Sequence, residues 1–182
     1  MATQYPELND KLIAFIQEQA LFFVGTADRD GRVNVSPKGL DSLRVLSPRK
    51  VLWLNLTGSG NESAAHVRAV PRMTLMFCSF GKQPLILRLY GQARVVHPAD
   101  ADWPELSAHF PALPGARQVF ELDIDLVQTS CGFAVPYFEF KGERPTLNTW
   151  AEKRGPEGLR EYWKERNALS LDGKPTGILD GI

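Results

Sequence analysis

A chain of 182 residues with 21 basic and 21 acidic side chains is formally uncharged, which excludes binding to nucleic acid or to an anionic membrane through bulk charge while leaving room for a local basic pocket. A hydrophobic share of 43% against 23% charged is that of a globular protein long enough to bury one core, so a single domain over 1–182 is expected. The two cysteines, Cys78 and Cys131, form no Cys-x-x-Cys pair, so neither a zinc ligand set nor a disulfide framework is expected, and a reduced, cytoplasmic setting is the simpler reading. The opening Met-Ala-Thr-Gln-Tyr-Pro-Glu lacks the basic and apolar regions of a signal peptide, and no apolar run is long enough to span a bilayer.

In chain order, Pro6 and Glu7 open a helical pattern with Leu8, Leu12, Phe15 and Ile16 on one face. The apolar run Leu21 to Thr26 ends at Asp28-Arg29-Asp30-Gly31, a hairpin signal, and Arg32 to Ser36 alternates as a half-buried strand that Pro37 is expected to end. Leu43 to Leu46 and Lys50 to Leu56 flank a second turn at Ser47-Pro48-Arg49. A short helix from Glu62 to Val70 stops at Pro71. Arg72 to Phe80 and Pro84 to Val96 surround a third turn at Gly81-Lys82-Gln83. Ala99 to Phe110 reads as helix, and Val119 to Val127 alternates, with Glu121, Asp123 and Asp125 as the expected solvated face. Phe133 to Phe140 is aromatic and partly extended. Thr146 to Lys153 and Glu157 to Ala168 read as two helices divided by Gly155-Pro156, forming with the tail a helical extension over 145–182. Six or seven antiparallel strands in hairpins, with helices at both ends, predict a mainly β protein with α additions: a small β-barrel with an N-terminal helix and C-terminal helices.

The stretch from Lys50 to Phe77 carries the most chemistry. A strand runs into Thr57, Gly58, Ser59, Gly60, Asn61 and Ser63, which place hydroxyls, an amide and bare backbone at a helix start. Free N–H groups and a partial positive charge suit such a start to a phosphate. The same residues also suit plain helix capping, with Ser59 or Asn61 as N-cap. Lys38, at a strand end beside Ser36, reads either as a site residue or as a solvated surface lysine.

The segment Phe23 to Gly39 resembles the opening hairpin of the pyridoxamine 5′-phosphate oxidase-like family, whose fold is the FMN-binding antiparallel split barrel. Leu56 to Phe77 looks like that family's strand, phosphate turn and helix, and Leu87 to Val96 like its long later strand with a central glycine. Gln128 to Pro136 and the run from Trp150 look like one branch of it. The resemblance implies FMN as cofactor, a homodimer with sites between subunits, and a flavin-dependent oxidoreductase acting on a small molecule by hydride or electron transfer. By position, Val35 and Ser36 would line the flavin, Leu56 and Thr57 would contact its ring system, Asn61 and Ser63 would reach the phosphate, and Lys38 would sit near the phosphate or the substrate. Arg88, the Ser130-Cys131-Gly132 turn and Trp150 would close the site from either subunit.

The chain has Val33 where the oxidase has an arginine, and Glu62 and Ser63 where it has an Arg-Lys pair. It also lacks the oxidase's substrate-phosphate residues and its C-terminal Arg-x-His motif. Oxidation of pyridoxamine phosphate itself is therefore not expected. Related split barrels bind a deazaflavin or haem, so a deazaflavin-dependent reductase and a non-catalytic flavin or haem binder stand as alternatives. His66, His97 and His109 are scattered, and no metal-ligand cluster or Ser-His-Asp arrangement is read from spacing.

Overall fold

The computed structural model describes residues 2–181; Met1 and Ile182, the ends of the expected 1–182 span, lie outside the described residues. Eight strands form one antiparallel sheet: β1 (Thr3–Tyr5), β2 (Phe22–Thr26), β3 (Asn34–Lys38), β4 (Leu43–Ser47), β5 (Lys50–Leu56), β6 (Arg72–Cys78), β7 (Ile86–Val96) and β8 (Ala116–Ser130). Their order is β3-β2-β6-β7-β8-β5-β4, with β1 also on β8. The long β8 carries β7 on one side, and β5 and then β1 on the other. The edge strands β3 and β4 do not pair with each other among the described residues, so the curled sheet stays open. This is the expected mainly β architecture with α additions, in the manner of a split barrel.

The helices fall where the punctuation of the sequence puts them. α1 (Asp10–Glu18) is capped by Asn9, whose side chain accepts from Leu12 N at 3.1 Å, the N-cap geometry that satisfies an orphan donor. α2 (Glu62–Ala69) ends before Pro71. α3 (Trp103–Ser107) is a single short turn rather than the longer helix expected from Ala99 to Phe110. α4 (Thr146–Tyr162) breaks at Gly155, whose φ of 68° is left-handed, and runs on into a π-helical turn, Trp163–Asn167. The expected division at Gly155-Pro156 is therefore real.

Two strand expectations are corrected. Pro37 does not end its strand but pairs with Phe23 inside β3. This is possible because β3 is an edge strand, where proline's missing N–H breaks no ladder on the open side. Glu121 is not solvated: its side chain is buried between Lys50 and Arg94, with Arg94 Nε donating at 2.8 Å. Both faces of β8 are buried from Arg117 to Leu122, and two cations compensate Glu121 for the desolvation, whereas Asp123 and Asp125 are exposed as expected. Phe133 to Phe140 forms no strand, and Phe133, Tyr137, Phe138 and Phe140 stand exposed.

The main core fills the concave side of the sheet with Val24, Trp53, Leu75, Phe77, Leu87, Leu89, Phe120 and Leu122, and α1 and α2 contribute Leu12, Ile16, Ala64 and Val67. A second cluster under α3 joins Leu52, Leu54, Val119, Leu106 and Phe110. No helix among the described residues is long and apolar enough to cross a membrane. The register of β7 on β8 shifts at Tyr90/Gly91, and a Cβ on Gly91 would lie 2.9 Å from the carbonyl carbon of Asp123 and collide with its oxygen. Gly91→Ala should therefore lower unfolding free energy by about 3 kcal/mol, the upper end of overpacking costs. Denaturant melts check this, and an unchanged midpoint would refute it.

Candidate functional site

The turn after β5 is tied to the protein by its first residue. Thr57 N and Oγ1 both donate to the Gly115 carbonyl at 2.8 Å, and Trp163 Nε1 donates to Thr57 Oγ1 at 2.8 Å. Two cavities open on either side of this anchored turn. A polar one of about 320 Å³ is lined by Asn34, Ser36, Lys38, the turn Gly58 to Ser63 and Arg117. A more apolar one of about 430 Å³ is lined by Leu21, Pro37, Leu40, Leu54, Thr57, Phe140 and Leu147 among others. They are continuous, since Lys38, Trp53, Asn55, Leu56 and Gly58 line both.

The polar cavity sits at the N-terminus of α2, where Ala64 N donates to the Asn61 carbonyl at 3.2 Å and the N–H groups of Glu62 and Ser63 precede the first intrahelical bond. Asn61 occupies the N-cap position but does not cap: its Nδ2 donates to the Asn167 carbonyl at 3.3 Å, and its Oδ1, although buried, has no partner. Opposite stands Arg117 from β8, only 2% exposed. Its Nη1 donates to the Gly60 carbonyl at 3.1 Å and to Asn167 Oδ1 at 2.8 Å, while its Nε is unpartnered. Lys38 lies with its Nζ 5.2 Å from the centroid of the Trp53 ring. Burial, and secondarily the Arg117 guanidinium, pushes the Lys38 ammonium down to about 8. Burial likewise pushes Arg117 down to about 9, against an upward pull from Tyr162. Neither cation is in an ion pair among the described residues. Glu62 also lines the cavity, but both its carboxylate oxygens accept from Leu171 N, at 3.1 and 3.0 Å. The result is a helix N-terminus facing two cations that lack a counter-charge, an arrangement that suits an anion.

The structure gathers six of the expected site residues around this cavity pair: Ser36, Lys38, Leu56, Thr57, Asn61 and Ser63. Strand alternation turns Val35 to the opposite, exposed face. Arg88 donates to Ser130 Oγ at 3.3 Å, Cys131 is exposed, Gly132 packs on Leu85, and Trp150 meets Tyr162 edge-on at 5.1 Å. None of these five lines either cavity. Sequence reasoning missed Arg117, Asn167 and the buried pair in which Asn55 Nδ2 donates to Gln118 Oε1 at 2.9 Å. No local signal marked Arg117, whose parity in β8 is that of Val119 but also that of Glu121, Asp123 and Asp125, the expected solvated face.

The family model of pyridoxamine 5′-phosphate oxidase matches residues 8–131. The chain belongs to this family. It is 41% identical over 189 residues to the pyridoxamine 5′-phosphate oxidase family protein ustO of Aspergillus flavus, covering 94% of this chain and 76% of that one. Among solved structures it resembles a candidate pyridoxamine 5′-phosphate oxidase of Lactobacillus delbrueckii, with a TM-score of 0.55 and 24% identity over 68% of this chain and 94% of that chain. It also resembles HupZ of Group A Streptococcus, with a TM-score of 0.50 and 16% identity over 65% and 91%. At these identities the solved structures speak to the fold alone. The family match stops at residue 131, so Phe140, Leu147 and Asn167, which line or brace the site, come from beyond it.

The lowered proton affinity of Lys38 has a definite sign. Between about 8 and the ordinary 10.5, the unfolded chain holds a proton there that the ligand-free folded protein does not. This site therefore adds stability as pH rises through that window. Urea unfolding at pH 8 and pH 10 should show a larger gain for the wild type than for Lys38→Met, and an equal gain would refute it.

Proposed function

We propose that the chain is a single-domain, FMN-binding oxidoreductase acting on a small molecule other than pyridoxamine phosphate. The observation that carries this reading is Arg117: a buried guanidinium with an unpartnered Nε, beside a second unpaired cation and a helix N-terminus. A flavin mononucleotide combines a phosphate dianion, a hydroxylated chain and a planar apolar ring, and the paired cavities offer surroundings for each. The phosphate would take Arg117, Lys38, the Ser63 hydroxyl and the first N–H groups of α2. The bare Asn61 Oδ1 is an acceptor, so it suits a ribityl hydroxyl better than a phosphate oxygen. The ring would lie along Leu56 and Thr57 toward the apolar cavity, where Leu54, Pro37 and Leu147 exclude water.

When bound, FMN supplies a reversible hydride or electron acceptor; the protein supplies position and a dry environment. Thr57, fixed by Gly115 and Trp163, holds the turn rigid while the ligand enters. Asn55, whose amide is held by Gln118, lines both cavities. Among the described residues no histidine lines either cavity, which leaves the haem alternative without a histidine ligand in this chain's site. Arg88, Cys131, Gly132 and Trp150 lie away from the cavities of their own chain, so a contribution from them would come through a homodimer. The exposed Phe133, Tyr137, Phe138 and Phe140 supply apolar surface for one. The free thiols Cys78 and Cys131 are consistent with a cytoplasmic setting.

The experiment is an anaerobic titration of the purified apoprotein with FMN, riboflavin, a deazaflavin and haem. FMN should bind tighter than riboflavin, and Arg117→Met should erase most of that preference, by about 3 kcal/mol or roughly a hundredfold. An FMN affinity untouched by Arg117→Met would show that the phosphate lies elsewhere. Preferential binding of deazaflavin or haem would replace the cofactor assignment.

A further inference from the structure

Ser63 lines the polar cavity from the first turn of α2. Behind it stand Thr26, at the end of β2, and His66, further along α2, both buried. Thr26 Oγ1 lies 3.3 Å from Ser63 Oγ and 3.1 Å from His66 Nδ1. The Asn34 amide donates to Ser63 Oγ at 3.2 Å. The donor and acceptor roles of the His66 ring depend on its tautomer, so the run His66–Thr26–Ser63 reaches the cavity with no direction fixed by its hydroxyls.

A hydroxyl has one hydrogen and two lone pairs, so the direction of such a run is set by its inner end. If His66 carries a hydrogen on Nδ1, it donates to Thr26 and Thr26 donates to Ser63. Both lone pairs of Ser63 are then taken, one by Thr26 and one by Asn34, and its own hydrogen is left for the cavity. If Nδ1 is bare, Thr26 donates to His66, Ser63 donates to Thr26, and a lone pair faces the cavity instead. A lone pair suits an empty cavity containing Lys38 and Arg117; a hydrogen suits an anion.

We propose that His66 is a positioning residue which, through Thr26, sets the hydrogen-bond polarity of Ser63, so that anion binding and the Nδ1–H form of His66 favour each other. The inference rests on the phosphate reading of this cavity. The coupling is reciprocal, as any linkage between two equilibria must be. His66 is out of contact with the ligand and acts only through the hydroxyl it orients.

Two measurements test it, with FMN and riboflavin as the probes. In protein labelled with nitrogen-15 at histidine, the nitrogen spectrum distinguishes a protonated Nδ1 from a bare one. FMN-saturated protein should show hydrogen on His66 Nδ1, and a bare Nδ1 in that state would overturn the proposal. This readout uses the wild-type protein, so it stands even if a variant fails to fold. Second, Ser63→Ala should reduce the preference for FMN over riboflavin about tenfold, the scale of one hydrogen bond to a charged group. Thr26→Val removes the acceptor that competes for the Ser63 hydrogen, so it should keep that preference but uncouple His66, whose nitrogen spectrum should then be the same with and without FMN. A His66 signal that still changes with FMN in Thr26→Val, or a Ser63→Ala that keeps the full preference, would overturn the relay while leaving the phosphate site standing if Arg117→Met still erases the preference. A wild type that does not prefer FMN to riboflavin would overturn both.

Discussion

The arrangement of the site depends on one buried, uncompensated cation. Taking a guanidinium out of water costs several kcal/mol even after relaxation. Arg117 recovers part of that from Gly60 O and Asn167 Oδ1 but keeps a bare Nε. Its two hydrogen bonds join three different parts of the chain: β8 carries it, the turn after β5 supplies Gly60, and the helical turn after α4 supplies Asn167. The same interaction that holds the charge in the cavity wall therefore ties the turn and the C-terminal helical turn to β8. Asn167 does this with both ends of its amide, since its Nδ2 donates to Gly58 O at 3.0 Å.

The C-terminal segment reinforces this from outside. Trp163 holds Thr57, and Asn167 O accepts from both Asn61 and Thr176. Further along, Leu171 N binds Glu62, Asp172 pairs with Arg32, Lys174 pairs with Asp28, and Asp180 pairs with Arg68 at 2.7 Å. The tail so bridges the β2–β3 loop to α2. Most of these ion pairs are exposed and individually worth little. The buried Thr176 and Ile178 supply apolar and hydrogen-bonded anchorage that does not depend on salt. The turn is held on one side by β8 and on the other by a strap that begins beyond the family match.

What was legible in the sequence followed from local physics. The hairpins at Asp28-Gly31 and Ser47-Arg49, the helix before Pro71 and the break at Gly155 all rest on turn and breaker residues whose effect is felt within a few positions. The glycine-rich turn and helix start after β5 were legible for the same reason. The failures are all non-local. Pro37 lies inside β3 because no strand pairs on its other side, a fact of sheet order. The strand β1, three residues long, exists only through its pairing with Val127 to Thr129. β8 runs past its alternating centre into Arg117 and Gln118, polar residues buried by what packs over them rather than by their own preference. Asn61 looked like a cap, but a distant carbonyl takes its amide. Arg117 was missed as a site residue because it reaches the turn from 57 positions away, through the pairing of β5 with β8.

These non-local contacts also change the meaning of the residues in which this chain departs from the oxidase it resembles. A glutamate at the first position of α2 looks hostile to phosphate, yet an acid there interacts favourably with the helix dipole, and its carboxylate is turned to Leu171 N. Val33 and Ser63 remove positive charge from the strand and the turn, while Arg117 and Lys38 place it on the far wall of the same cavity. An anion would then be held between a helix N-terminus on one side and two cations on the other, with neutral donors at the turn. Neutral donors lack the fixed polarity of an arginine fork. Their direction has to be supplied by the groups behind them. For Ser63 those groups are Asn34, Thr26 and, at one remove, His66, so in the proposed site replacing a charge by a hydroxyl in the turn would move part of the control over the ligand into the buried hydrogen-bond chain behind it.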